Sequence, residues 1–439
     1  MDFTLETIYS ILTLDFYVKK NSGDRIQTSE KEEKMKITRR NFLLFSGFSS
    51  ASLFSKKHKA ENDSRPSLKK PFISSSRDAW IELNLENMRR NLEKVRKKVK
   101  VPVMAVIKAN AYGHGLKEVG RYLNKIDIDF LMVCKLQEAM ELREAGVACP
   151  VHNFGPFSSE DANVLIKNNI SQSVFTEEVQ NLSQTAQKIG TTAKIHIHID
   201  TGMGRMGIPY YKALPYIERV SSLKGIKIIG ISTTLTEDDE FDREQLNRFH
   251  SLCRNAEKKG LSLGLKHAAS SAGIFALKSS YLDMVRPGIV LYGYYPSEKT
   301  QKQDSLSLKP VLQLKSRVAA VKTLRRGDSI AYHRAYIAKK REKIAVIPTG
   351  YSDGYPFNVI DKGFVLIKGE RFPIIGGITA NHMEVRLKLD SPIAPGDETV
   401  LIGSQGKDKI TANEVARWAE VSTYKILLCL NPLLPRKII

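Results

Sequence analysis

Residues 103–115 read VMAVIKANAYGHG: an apolar run ends in Lys108, and Tyr112, His114 and two glycines follow closely. A lysine at the end of a buried strand can act as a nucleophile toward an aldehyde or as a general base. It can equally extend its ammonium into solvent with no chemical role. A second set stands at 196–207, HIHIDTGMGRMG. Gly202, Gly204 and Gly207 spell G-x-G-x-x-G, but a dinucleotide fingerprint needs those glycines to open a helix, with an acid about twenty residues on. Pro209 follows instead and position 222 is Ser222, so a nicotinamide cofactor is excluded here. His196, His198 and Asp200 alternate onto one strand face, which suits a metal site or, with too few ligands for one, a polar layer inside a barrel. Arg205, in a glycine-lined turn, is suited to hold a carboxylate through two parallel hydrogen bonds. A third set comprises HAASSAG (267–273) and VRPGIVLYG (285–293). In a barrel, the loops after the last two strands bind phosphate through backbone N–H groups, small residues and hydroxyls. Ser271, Gly288 and Ile289 fit that cradle. A lysine at one strand end and a phosphate cradle at others point to pyridoxal phosphate.

The elements that would carry these residues follow a regular alternation. From about residue 78, short apolar runs such as DAWIELNL, VPVMAVIK, DFLMVC and KIHIHID alternate with helical spacings such as ENMRRNLEKVRKKV and LQEAMELREAG. Strands alternating with helices mean βαβ units and a parallel sheet, and roughly eight units in about 220 residues match a (β/α)8 barrel. After residue 310 helical patterns nearly vanish, and LQLKSRVAAVKTL, REKIAVIPTG, GFVLIKGERFPIIGG and ETVLIGS read as strands between Gly and Asp turns. The fold class is therefore α/β: a TIM-like barrel over 76–312, then an all-β domain over 313–439.

The 439 residues, 42% of them apolar, allow two or three domains with ordinary cores. The net charge is +21, with lysines and arginines scattered among acids rather than interleaved with aromatics on one stripe. That argues for a solvated basic surface and against a nucleic-acid partner. Cys134, Cys149, Cys253 and Cys429 lie far apart without C-x-x-C spacing, so neither a zinc site nor a disulfide framework follows. The longest apolar run, NFLLFSGFSSASLF (41–54), is too short and too serine-rich for a stable membrane span. Behind the charged leader MKITRR it reads as an export signal, and Arg39-Arg40 followed by Asn41, Phe42 and Leu43 fits the twin-arginine type. Met35 stands where such a signal would start. Residues 1–34 are then an upstream extension, 35–60 the signal and 61–75 a linker. The expected location is periplasmic, or cytoplasmic if the signal does not function.

RDAWIELNL, AVIKANAYGHG, DTGMGRMG, MVRPGIVLYG, IAYHRAY, PTGYSDGYP and PRKI occur in this order between residues 77 and 438. Together they resemble the alanine racemase family, the fold-type-III pyridoxal-phosphate enzymes. The resemblance implies a barrel and a β-domain, a homodimer with shared active sites, and an amino-acid racemase supplying D-alanine for peptidoglycan. It implies that Lys108 carries the cofactor and serves as one base, with Tyr332 of the other subunit as the opposite base. Tyr112, Ser271, Gly288 and Ile289 would hold the phosphate, and Arg286 would donate to the pyridine nitrogen. Arg205 would bind the substrate carboxylate beside the cofactor. Tyr351, with Ala380, would line the substrate's approach from the partner chain.

Four positions depart from the family pattern. His198 replaces a lysine, Thr234 a histidine that stacks on the cofactor, Ala380-Asn381 a Met-Asp pair, and Pro432 a tyrosine that narrows the substrate pocket. Loss of that tyrosine opens the pocket, and the asparagine resembles exported broad-specificity racemases. Two other readings remain open at this stage. A related decarboxylase would need a cysteine in the β-domain loop, whereas the only cysteine after the barrel is Cys429. A cofactor-binding protein without racemase activity would show bound cofactor and no turnover.

Overall fold

The computed structural model describes residues 78–302 and 306–439. The expected extension, signal and linker over residues 1–75 lie outside the described residues. Strands Met104–Val106, Phe130–Val133, Val151–Asn153, Ile170–Val174, Ala193–Asp200, Ile226–Thr233 and Leu265–His267 pair in that order, every neighbour parallel. Met284 and Val285 take the eighth place. Met284 bridges to His267 and Val285 to Val103, and the Met104 and Val106 N–H groups donate to the Val285 and Pro287 carbonyls, both at 2.9 Å. The barrel therefore closes through a strand too short to carry a periodic signal in the sequence.

The helices lie outside these strands because each offers one apolar stripe. Leu85–Val99 buries Leu85, Met88, Leu92, Val95 and Val99, spaced three or four apart. Asn84 caps its start by accepting the Asn87 N–H, and Arg96, Lys97 and Lys98 face the negative end of its dipole. No described helix is long and apolar enough to cross a membrane.

The C-terminal domain is rich in antiparallel strands. Its main sheet runs Ala320–Leu324, Glu342–Ile347, Met383–Leu387, Glu370–Ile378, Phe364–Ile367, Glu398–Gln405 and Leu312–Arg317, and then takes in Trp80–Leu83 and Arg436–Ile438. Trp80–Leu83, expected in the barrel, thus belongs to the C-terminal sheet. Its alternating WIEL pattern suits any half-buried strand, and the partner is set by register. Pairing Glu82 with Gln313 buries Ile81 and Leu83 and brings Lys315 2.9 Å from Glu82. Two helices, Ala412–Ala419 and Thr423–Leu428, add to the expected strands. The first opens on a reciprocal Thr411–Glu414 cap. All described residues fall in one unit, and Thr423–Leu428 packs on the segment that follows Lys108.

Candidate active site

Lys108 follows the first barrel strand, and the chain then turns left-handed. Ala109, Asn110, Ala111 and Tyr112 have φ of 53°, 55°, 52° and 53°, and Gly113 has φ 79°. Each L-residue there costs roughly 1–2 kcal/mol, so external contacts must hold the turn. Within it, Ala111 N–H donates to Ile107 O, Gly113 N–H to Ala109 O, and Gly115 N–H to Asn110 O. Gly113 lies against the Leu427 carbonyl with no room for a Cβ. The residue types suggest only a glycine-punctuated loop, because Ala, Asn and Tyr carry no left-handed signature as a run. One left-handed turn separates Lys108 from Tyr112. The Tyr112 ring packs 4.9 Å from Tyr292 and 6.0 Å from Tyr424. His114 points inward: its Nδ1 meets Tyr112 O at 2.8 Å, and burial pushes it down to about 4, so it stays neutral.

The four expected phosphate contacts converge from three separate stretches of chain. Ser271 opens the short helix Ser271–Ala276 and Ile289 opens the 3-10 turn Ile289–Tyr292. Gly288 N–H donates to Ser271 Oγ at 2.9 Å, and a Cβ at position 288 would lie 2.5 Å from the Tyr112 hydroxyl oxygen. Hydroxyls and N–H groups around a glycine-lined hollow suit a phosphate.

Arg286 is buried, with four of its five N–H bonds committed. Nη1 donates to His267 Nδ1 (2.7 Å) and His267 O (2.8 Å), and Nη2 to Thr233 O (2.7 Å) and Ala268 O (3.1 Å). Burial pushes Arg286 down to about 10, still protonated at neutral pH. The remaining Nε–H can serve an acceptor only, so a pyridine nitrogen facing it is held unprotonated. Together with the phosphate hollow and Lys108, this donor set fits pyridoxal phosphate.

The Arg286 donors also fix proton positions deeper in the barrel. Arg286 donates, so His267 carries its proton on Nε2 and donates that N–H to His196 Nδ1 at 2.9 Å. His196 then carries its proton on Nε2, which has no partner among the described residues. Burial and the Arg286 charge hold His196 at about 3. His198 bonds Ser232 at 3.0 Å, and Asp200 turns away to accept the Gly202 and Gly204 N–H groups. The alternating His-x-His-x-Asp stretch thus builds a polar layer and a loop, and the three side chains do not converge on a metal.

Arg205 is exposed on that loop. Burial pushes the Cys134 thiol up, and the charges of Lys108 and Arg205 both oppose that shift. Among the described residues, Thr234 bonds only through its carbonyl, which accepts from Gln245 Nε2.

Tyr332, Tyr351 and Ala380 belong to a second cluster on the C-terminal domain. Tyr332 is 78% exposed on the hairpin of Ser329–Ile330 and Tyr336–Ile337, which seats on Gly376 and Gly377, where added Cβ atoms would meet Ile330 and Ala331. Tyr351, 56% exposed, donates its N–H to Thr379 O, while Ser352 donates to Ala380 O. No described hydrogen bond or ring contact joins Tyr332 to the Lys108 cluster.

Comparisons with known proteins agree over both domains. Residues 83–296 match the family model for the alanine racemase N-terminal domain, and 311–438 the model for its C-terminal domain. An alanine racemase of Clostridium perfringens is 38% identical over 367 residues, covering 82% of this chain and 95% of that relative. Among solved structures, an alanine racemase of Clostridium difficile aligns with TM-score 0.78 at 33% identity, covering 82% of this chain and 95% of the other. A histidine racemase of Leuconostoc mesenteroides aligns with TM-score 0.76 at 27% identity, covering 83% and 99%.

The Gly288–Tyr112 contact is open to test. Gly288→Ala places a methyl against the Tyr112 hydroxyl and is expected to weaken pyridoxal phosphate binding by about tenfold or more while the protein stays folded. Titration of the apo-protein with the cofactor, followed by absorbance, checks it. Unchanged affinity would mean that the hollow does not hold the phosphate.

Proposed function

The chain belongs to the alanine racemase family and is a pyridoxal-phosphate-dependent amino-acid racemase, and we propose that it works as a homodimer on amino acids beyond alanine. The observation that supports the dimer is the exposure of Tyr332, the proposed second base, which no described hydrogen bond or ring contact joins to the Lys108 cluster. When bound, pyridoxal phosphate acidifies the substrate Cα–H by delocalising the electron pair left behind. The protein's own task is to place a base on each face of that carbon. Lys108 Nζ exchanges the proton on one face, and Tyr332 Oη of the partner subunit exchanges it on the other. Arg205 orients the substrate carboxylate, and Tyr112, Ser271, Gly288 and Ile289 hold the phosphate. Arg286, unable to surrender its proton at neutral pH, limits how far the ring withdraws electrons and so disfavours side reactions.

Shared sites predict complementation. Lys108→Ala and Tyr332→Phe should each lose at least about a hundredfold in kcat. Mixing the two after dissociation and reassociation should restore about a quarter of wild-type sites, because each hybrid dimer holds one intact Lys–Tyr pair. No recovery on mixing would refute sharing.

Breadth of substrate is supported by Ala380, Asn381 and Pro432 at positions where the family carries larger or charged residues, and by the likeness to a histidine racemase. The tail around Pro432 is pinned by Asn431, which bonds the Ser352 and Asp353 carbonyls, and Leu433 beside it is 86% exposed. A chiral assay over L-alanine, lysine, arginine, serine, glutamine and histidine should give kcat/KM values within about a hundredfold of one another. Alanine alone above that range would refute the broad pocket.

Export rests on the Arg39-Arg40 leader, and the twin-arginine route carries folded proteins, so cofactor could load before transit. Fractionation should find the chain in the periplasm, and an Arg39→Lys, Arg40→Lys variant retained inside. Equal distribution of the two would refute the signal.

A further inference from the structure

The left-handed turn that aims Lys108 is held from the barrel side by one carboxylate. Glu138 is 9% exposed and lies in the first turn of the helix Leu136–Glu144. Its Oε2 accepts the Cys134 N–H at 3.3 Å, a contact that resembles an ordinary helix cap. A cap needs only one oxygen. The other, Oε1, reaches across 28 residues to accept the Asn110 N–H at 3.2 Å.

Asn110 is the hub of the turn. Its carbonyl accepts the Gly115 N–H, and its Oδ1 accepts the Leu116 N–H at 2.8 Å, at the start of the helix Leu116–Lys125. On the opposite side, Arg436 Nη2 donates to Gly113 O at 3.0 Å. Among the described residues, no other side chain bonds a backbone N–H between Lys108 and Tyr112. Without it the Asn110 N–H would have no acceptor, at the one residue of the run whose type tolerates the left-handed region.

We propose that Glu138 is a positioning residue for Lys108, fixing the left-handed turn so that the amine and the Tyr112 hydroxyl face one hollow. It touches neither substrate nor cofactor and acts through Asn110. The activity readout rests on the racemase reading above; the binding and exchange readouts do not.

The test uses the full chain carrying Glu138→Ala, Glu138→Gln, Glu138→Ala with Ala109→Gly, and the exposed control Glu144→Gln. Glu138→Ala should lower kcat by about 10- to 100-fold with KM for L-alanine within about threefold, and raise the apo-protein's Kd for pyridoxal phosphate about tenfold. Amide hydrogen exchange across residues 108–116 should accelerate. Glu138→Gln keeps one acceptor oxygen but turns an NH2 toward the other N–H, so its losses should be intermediate. Ala109 is exposed at φ 53°, and glycine adopts that conformation without steric cost. Ala109→Gly should therefore recover at least about fivefold of the lost kcat, which a purely structural defect in the helix would not allow. Glu144→Gln should match wild type.

Wild-type kcat, cofactor affinity and exchange in Glu138→Ala would overturn the proposal, as would failure of Ala109→Gly to rescue. If Glu138→Ala does not fold, Glu138→Gln decides by the same readouts. A wild-type chain that racemises nothing would refute the proposed function, and cofactor affinity and exchange would still decide the role of Glu138.

Discussion

Everything at the barrel mouth depends on a stretch of backbone that its own residues disfavour. Four consecutive L-residues after Lys108 sit in the left-handed region, and only contacts from elsewhere in the fold keep them there. The Leu427 carbonyl fills the space where a side chain at Gly113 would go, Arg436 binds the Gly113 carbonyl, and Glu138 takes the Asn110 N–H. The return is geometric. A right-handed turn would reverse the sense in which Tyr112 follows Lys108 and take its hydroxyl away from Gly288. The strain therefore sits where direction matters most, and both domains help to hold it.

Behind that mouth, the barrel interior is polar yet uncharged apart from Arg286. His152, His196, His198 and His267 are all buried, and burial together with the guanidinium keeps each neutral, so each offers one donor and one acceptor. Serines complete the layer, with His152 between Ser171 and Ser173 and His198 on Ser232. Such a layer orients Arg286 without neutralising it. A carboxylate in place of His267 would bind the guanidinium more strongly, but it would cancel the charge that holds a ring nitrogen unprotonated.

The residues proposed for the site stand on two different domains. The barrel supplies Lys108, the phosphate hollow, Arg286 and Arg205, and the C-terminal domain supplies Tyr332, Tyr351 and Ala380. The tail links the two domains within one chain: Asn431 binds the loop after Tyr351, and Arg436 binds the turn after Lys108.

The amino-acid sequence alone carried the alternation that makes a barrel, the switch to strands after residue 310, and the residue types proposed for the site, because periodicity and residue chemistry are local properties. It did not carry the left-handed turn, since no single residue in AlaAsnAlaTyr demands it and the contacts that enforce it lie 28 to 323 residues away. The placement of Trp80–Leu83 in the C-terminal sheet, the closing of the barrel by Met284 and Val285, the histidine tautomers and the second role of Glu138 were likewise decided by tertiary structure. Each depends on which partner a backbone group or side chain meets across a long loop, and that choice is made by packing and register rather than by the residue's own preference.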